Sequence, residues 1–226
     1  MNDRGRGTAV RGDLPRTDPR PRVGVPGAPG AMLVIISGPS GVGKDAVIDA
    51  LRRRNRRPPY HYVVTCTTRA PRRGEVDGVD YHFLDMDRFV ALRDAGELLE
   101  ANEVHGNWYG TPRTQVREAL LRGQDVILKI DVQGAQEVKE NVPEAVLIFI
   151  VPPSLESLFQ RLKSRATETA DELELRQRNS AIELGRQEDY DYIVENRDGE
   201  VEATAQRIEG IIEDERRLHP DRRVVV

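Results

Sequence analysis

The chain has 226 residues, 32% charged and 38% hydrophobic, and its 34 Lys and Arg against 38 Asp and Glu leave a formal net charge of −4. That length suits one domain, or one domain with insertions, and the weakly acidic balance carries no electrostatic footprint for nucleic acid. The single cysteine, Cys66, excludes a disulfide framework and a Cys-based metal site. No apolar run reaches the length of a membrane span, and the first residues lack the apolar stretch of a secretory signal. The expected setting is therefore the cytoplasm, with neither nucleic acid nor membrane as a partner.

Residues 1–31 are rich in Arg, Pro and Gly and poor in large apolar side chains, with six Arg and three Asp. Such a segment buries too little surface to offset the entropy of ordering it, so a disordered extension is expected. From residue 32 short apolar runs alternate with helical patterns. MLVIIS (32–37) reads as a buried strand, followed by a helix near 44–54, and YHYVVTC (60–66) reads as another strand. QDVILKIDV (124–132) and AVLIFIV (145–151) are nearly all apolar and β-branched, as parallel strands covered on both faces tend to be. DYIVEN (191–196) is a shorter candidate, and helices are expected near 133–140, 154–164, 171–187 and 201–217. This alternation predicts an α/β fold, a parallel β-sheet flanked by helices. Residues 66–112 break the rhythm with Gly, Arg, Tyr and short alternating pieces, as an inserted β-rich module would. The core is then expected over 32–65 and 113–226.

The first strand runs into Gly38-Pro39-Ser40-Gly41-Val42-Gly43-Lys44-Asp45. Glycines at 38, 41 and 43 let the backbone curl its N–H groups inward around phosphates, and Lys44 supplies a cation at the positive end of the following helix. The pattern departs from G-x-x-x-x-G-K-[ST] at one place: Asp45 stands where a hydroxyl should meet the metal. Beside a triphosphate an acid is costly unless a cation intervenes, so Asp45 is expected either to hold Mg²⁺ or to pair with a neighbouring cation. Lys129 is the candidate cation, at the end of the strand expected beside the first. Either Lys129 or Asp131, but not both, is expected to face the loop. Further along, Arg69 and Arg72 sit three apart in a Pro-bearing turn, where two planar guanidinium forks suit one phosphate.

SGPSGVGK, TTRAPRRGEVDGVDYHF, GNWYGT, IDVQGA and IFIVPPS, in this order and spacing, closely resemble guanylate kinases, which phosphorylate GMP from ATP. The resemblance covers essentially all of 32–217. It implies a parallel-sheet core of the phosphate-loop NTPase type, a GMP-binding module at 66–112 and a helical lid at about 161–178. It implies that ATP occupies Gly38 to Asp45 with Mg²⁺, near Asn196, and that Lys44, Arg161, Arg165 and Arg176 serve the transferring phosphoryl group. It also implies that Arg69, Arg72, Tyr81 and Tyr109 grip the GMP phosphate, with Glu75 and Asp131 in the same network. Glu100 would read the guanine edge, helped by the hydroxyls of Thr65 and Thr111. A carboxylate accepts from guanine N1–H and the N2 amino group but repels adenine N1, so one residue discriminates strongly.

This sequence departs from the family pattern at Asp45, usually Ser or Thr, and at Lys129, usually Asp. The two are expected to form one exchange. The alternative to an active enzyme is a non-catalytic binding or nucleotide-sensing module in which Asp45 abolishes metal binding.

Overall fold

The computed structural model describes residues 24–54, 56–104, 106–164 and 170–226. The expectation of disorder for residues 1–23 falls outside them, as does Arg165. Residues 24–31, expected in the disordered extension, are instead tied to the body of the protein. Gly27 N–H donates to Val224 O, Ala28 N–H to Leu120 O and Gly30 N–H to Arg222 O, and Ala31 is buried. Low apolar content does not prevent this, because backbone hydrogen bonds to the C-terminal tail hold the segment.

The main sheet is built from β1 (Leu33–Ser37), β2 (His61–Tyr62), β7 (Val126–Lys129), β8 (Val146–Val151) and β9 (Tyr192–Glu195). Its order is β2-β7-β1-β8-β9, and every pairing is parallel. The apolar runs read as strands alternate strictly between its two faces. Leu33, Ile35, Leu147 and Phe149 join one core cluster, with Val116 and Leu120 of α3 (Arg113–Leu121) and Val132, Ala135 and Val138 of α4 (Val132–Asn141). Val34, Ile36, Val146, Ile148 and Ile150 join the other, with Val47 and Leu51 of α1 (Lys44–Arg53) and Ile208 and Ile212 of α7 (Val201–Leu218). Each such Val, Leu, Ile or Phe, fully buried, stabilises the fold by about 1.5–3 kcal/mol. Two covered faces place the loop after β1 at the carboxyl edge of the sheet, where parallel α/β proteins bind ligands.

YHYVVTC is not one strand. β2 ends at Tyr62, and β3 (Cys66–Thr67) belongs to a second sheet. Between them the side-chain amide of Gln115 accepts from Val64 N–H and donates to Val64 O. That bond replaces a strand ladder and lets the backbone cross between sheets with its polar groups satisfied. The second sheet has the order β4-β3-β6-β5, adding β4 (His82–Phe83), β5 (Leu98–Val104) and β6 (Asn107–Pro112). Its own small core of Cys66, Phe89 and Leu98 is covered by α2 (Met86–Asp94), a helix that the sequence reading omits together with α3. α2 begins at Asp85, whose side chain accepts from Arg88 N–H as an N-cap.

α5 (Leu155–Ser164) and α6 (Ala170–Leu184) follow β8. β7 stops earlier than expected because Asp131 caps α4, its Oδ1 accepting from Gln133 and Gly134 N–H at 2.8 and 3.0 Å. Among the described residues, no helix is long and apolar enough to cross a membrane.

Candidate active site

The β1–α1 loop is shaped by glycine where no other residue fits. Gly38 has φ 141° and Gly43 φ 98°, and a Cβ on either would lie 2.4 Å from Ile150 O or 2.6 Å from Asn196 Nδ2. The curled loop folds over Lys44, whose Nζ donates to Gly38 O at 2.5 Å and Pro39 O at 3.1 Å. Burial lowers the Lys44 pKa, and the carboxylates of Glu183 and Asp45 oppose that fall without reversing it.

α6 lies across the loop and touches it with one face. Arg176 Nη2 donates to Ser40 Oγ at 3.2 Å, Ser180 Oγ to Ser40 O at 3.4 Å, and Ser40 N–H to Glu183 Oε2 at 3.1 Å. Sequence reasoning missed Ser180 and Glu183. Their spacing of four and seven residues from Arg176 is the signal that could have found them.

Two residues expected on the ATP side, Arg161 and Asn196, both contact the loop at Val42. Arg161 sits behind the loop, donating to Val42 O at 2.9 Å and Asn196 O at 2.8 Å and pairing with Asp198. Asn196 is buried, and its amide is used at both ends: Nδ2 donates to Val42 O at 2.8 Å and Oδ1 accepts from Thr204 Oγ1 at 3.1 Å. Both residues therefore hold the loop at Val42.

One cleft of about 210 Å³ runs from this loop to the second sheet, lined by Gly38, Lys44, Asp45, Thr65, Arg72, Tyr81, Glu100, Tyr109, Lys129, Asp131, Arg176 and Glu183 among others. At its far end Glu100 is 2% exposed, accepting from Thr111 Oγ1 at 2.7 Å and Asn102 Nδ2 at 3.1 Å. Burial is the main cause that pushes its pKa up to about 7, against the hydrogen bonds from Thr111 and Asn102, which favour the charged form. Gly134 leaves room for it, since a Cβ there would lie 3.1 Å from Glu100 Oε2. Asn102, which sequence reasoning also missed, is fixed by Glu137 Oε2 at 2.9 Å. Thr111 is fully buried, so its hydroxyl orients Glu100 and does not open onto the cleft.

On the module side Arg69 and Glu75 form a fork, with Nη1–Oε2 at 3.0 Å and Nη2–Oε1 at 2.9 Å. Glu75 also accepts from Arg72 N–H at 2.6 Å, and Arg69 holds its carboxyl below the usual range. The two arginines thus differ: Glu75 pins Arg69 beneath the Tyr81 ring, 5.4 Å from its centroid, while Arg72 lines the cleft. The Tyr81 and Tyr109 rings meet at 67° with centroids 6.0 Å apart.

Between the two ends, Lys129 Nζ donates to Asp45 Oδ1 at 2.5 Å and stands 5.6 Å from the Tyr81 centroid. Burial opposes the ammonium charge, but Tyr81 and Asp45 together outweigh it and the pKa is raised. A phenol is neutral at pH 7, so Asp45 is the anion acting there. With the acid 66% exposed, such a pair contributes only about 0–1 kcal/mol to stability. Lys129 and Asp131 both line the cleft, contrary to the expectation that only one would. Strand alternation does not decide between them, because β7 ends at Lys129 and Asp131 lies beyond it as the cap of α4.

The family model described as guanylate kinase matches residues 30–215. The chain belongs to the guanylate kinase family. It is 48% identical over 188 residues to the guanylate kinase of Mycobacterium tuberculosis, covering 82% of this chain and 88% of that one. To the guanylate kinase of Halalkalibacterium halodurans it is 46% identical over 181 residues, covering 80% and 87%. A crystal structure of guanylate kinase from Anaplasma phagocytophilum superposes with a TM-score of 0.65 at 35% identity, covering 83% of this chain and 86% of that one. Like its relatives in the guanylate kinase family, the chain is built on a parallel-sheet core flanked by helices.

Proposed function

We propose that the chain transfers the γ-phosphoryl group of ATP to GMP or dGMP, giving ADP and the corresponding diphosphate. The observation that carries the reading is one cleft with the glycine-rich loop and Lys44 at one end and the buried Glu100 carboxylate at the other. The loop amides and Lys44 seat the β- and γ-phosphates, with Arg176 closing on them from α6. Arg161 and Asn196 brace the loop. Arg72, Tyr81 and Tyr109, with Arg69 locked by Glu75, hold the acceptor phosphate. Glu100 accepts two hydrogen bonds from guanine, with Thr65 beside it and Thr111 and Asn102 fixing its rotamer.

In the reaction an acceptor phosphate oxygen bonds to the γ-phosphorus as the bond to the β,γ-bridging oxygen breaks. Catalysis is then positioning and charge neutralisation.

The donor set suits Mg²⁺ brought with ATP. Among the described residues no cluster of three or more His, Cys, Asp or Glu forms a protein cage, and Mg²⁺ prefers one or two carboxylates plus phosphates and water. Asp45, with Asp131 nearby, would offer the oxygen, a hard donor of the kind Mg²⁺ takes. When bound, the ion neutralises the β- and γ-phosphate oxygens.

A nucleotide-binding module without turnover is the second reading, favoured by one observation, the Asp45–Lys129 pair at the metal slot. ADP release from ATP, measured against GMP, dGMP, AMP, CMP and UMP, separates the two. Turnover with GMP and dGMP well above the other three supports the kinase, and binding without turnover supports the sensor.

A further inference from the structure

Lys129 closes β7, and its Cα is paired with Ile36, two residues before the phosphate loop begins. The side chain is mostly buried, 29% exposed, which is not the posture of a lysine that merely carries its charge out to water. With Arg72, it lines both the cleft described above and another of about 250 Å³ between α1 and the module. Asp45 reaches it from the first turn of α1 and Tyr81 from the module side. Its ammonium therefore stands between the seat of the terminal phosphate at Lys44 and the seat of the acceptor phosphate at Arg72 and Tyr81.

Phosphoryl transfer brings two anions into line at that gap, and their mutual repulsion needs a cation there. Arg69 is already matched by Glu75, while Lys44 and Arg176 belong to the loop seat and Arg72 to the module seat. An ammonium has three donors, and the bond to Asp45 uses one.

We propose that Lys129 is a catalytic residue that bridges the terminal phosphate on the loop and the acceptor phosphate on the module, with Asp45 as the positioning residue that holds its ammonium in the gap. The inference rests on the kinase reading above.

The test uses Lys129→Met, Lys129→Gln, Lys129→Arg and Asp45→Asn of the full chain. Binding of ATP, of GMP and of an adenosine–guanosine pentaphosphate that spans both seats is measured by calorimetry, beside kcat and KM. Thermal melts identify the variants that fold, and Lys129→Gln serves if Lys129→Met does not. The expected result is a loss of pentaphosphate affinity about tenfold greater than the product of the losses for ATP and GMP alone. It is accompanied by a fall in kcat of about 10²-fold with little change in KM, and by partial rescue in Lys129→Arg. Asp45→Asn should lower kcat by about tenfold, and far less when Lys129 is already Met. A pentaphosphate loss no larger than that product, or a kcat unchanged by removing the ammonium, overturns the proposal while leaving the kinase reading intact. A wild-type chain that binds no GMP would instead defeat the kinase reading itself.

Discussion

Replacing Glu100 by Gln changes one oxygen for an NH2 group in a site where both hydrogen-bond partners are donors. Thr111 Oγ1 donates to one carboxylate oxygen and Asn102 Nδ2 to the other. In the proposed complex guanine adds two more donors, N1–H and the N2 amino group. Whichever way the Gln amide turns, its NH2 faces at least one N–H or O–H in a pocket closed to water. The loss combines one charge-assisted hydrogen bond with a buried unsatisfied donor. Together these come to about 3 kcal/mol, or a fall of about 10²-fold in kcat/KM for GMP. AMP, whose N1 is an acceptor, should be unaffected or slightly improved, so the GMP/AMP ratio collapses. A coupled ADP-release assay on both nucleotides measures this. A variant that keeps GMP turnover within threefold of wild type, or that loses GMP and AMP equally, would refute the assignment of Glu100 to the base.

The same residue sets a pH dependence. Its carboxyl, pushed up to about 7 by burial, must ionise to accept from guanine, so GMP affinity should fall as pH drops through 7 and that dependence should vanish in Glu100→Gln. A folded pKa above the unfolded value also means that the protonated carboxyl stabilises the fold at low pH. That contribution is lost between about pH 4.5 and 7, so the melting temperature of Glu100→Gln relative to wild type should rise from pH 4.5 to pH 8, as differential scanning calorimetry would show. Glu75→Gln should unlock Arg69 and reduce kcat/KM for GMP by about tenfold with ATP affinity unchanged. Calorimetric titration of each nucleotide separates the two effects. Gly43→Ala places a Cβ 2.6 Å from Asn196 Nδ2 at φ 98°, and should cost about 1–3 kcal/mol of stability in denaturant unfolding together with ATP binding.

Strands β1 and β8 were legible because uninterrupted apolar runs of their length can only be covered on both faces. The break between β2 and β3 was not, because what ends the strand is Gln115, some fifty residues away, bracketing Val64. α2 carried a readable signal in Asp85, but its apolar face is little more than Phe89. Residues 24–31 looked too polar and small to be held, and their anchors lie at the other end of the chain. At the site, the loop and its departure at Asp45 could be read directly, since a phosphate cradle is a local pattern. The partnership of Asp45 and Lys129 could be posed from charge alone, whereas its 2.5 Å contact needed the register of β7 against β1. Glu183 and Asn102 escaped notice because an acid on a charged helix and an Asn in a strand give no sign of what lies across a cleft.

If one cleft seats ATP's terminal phosphates on the loop opposite a guanine held by a buried carboxylate, the γ-phosphoryl group passes directly from one bound nucleotide to the other. Incubating the purified chain with Mg²⁺, GMP and ATP labelled at the γ-phosphate, then separating the nucleotides, tests it most directly. Label should appear in the β-phosphate of GDP, with ADP formed in equal amount. Label remaining in ATP, or released as inorganic phosphate while GMP is untouched, would contradict it.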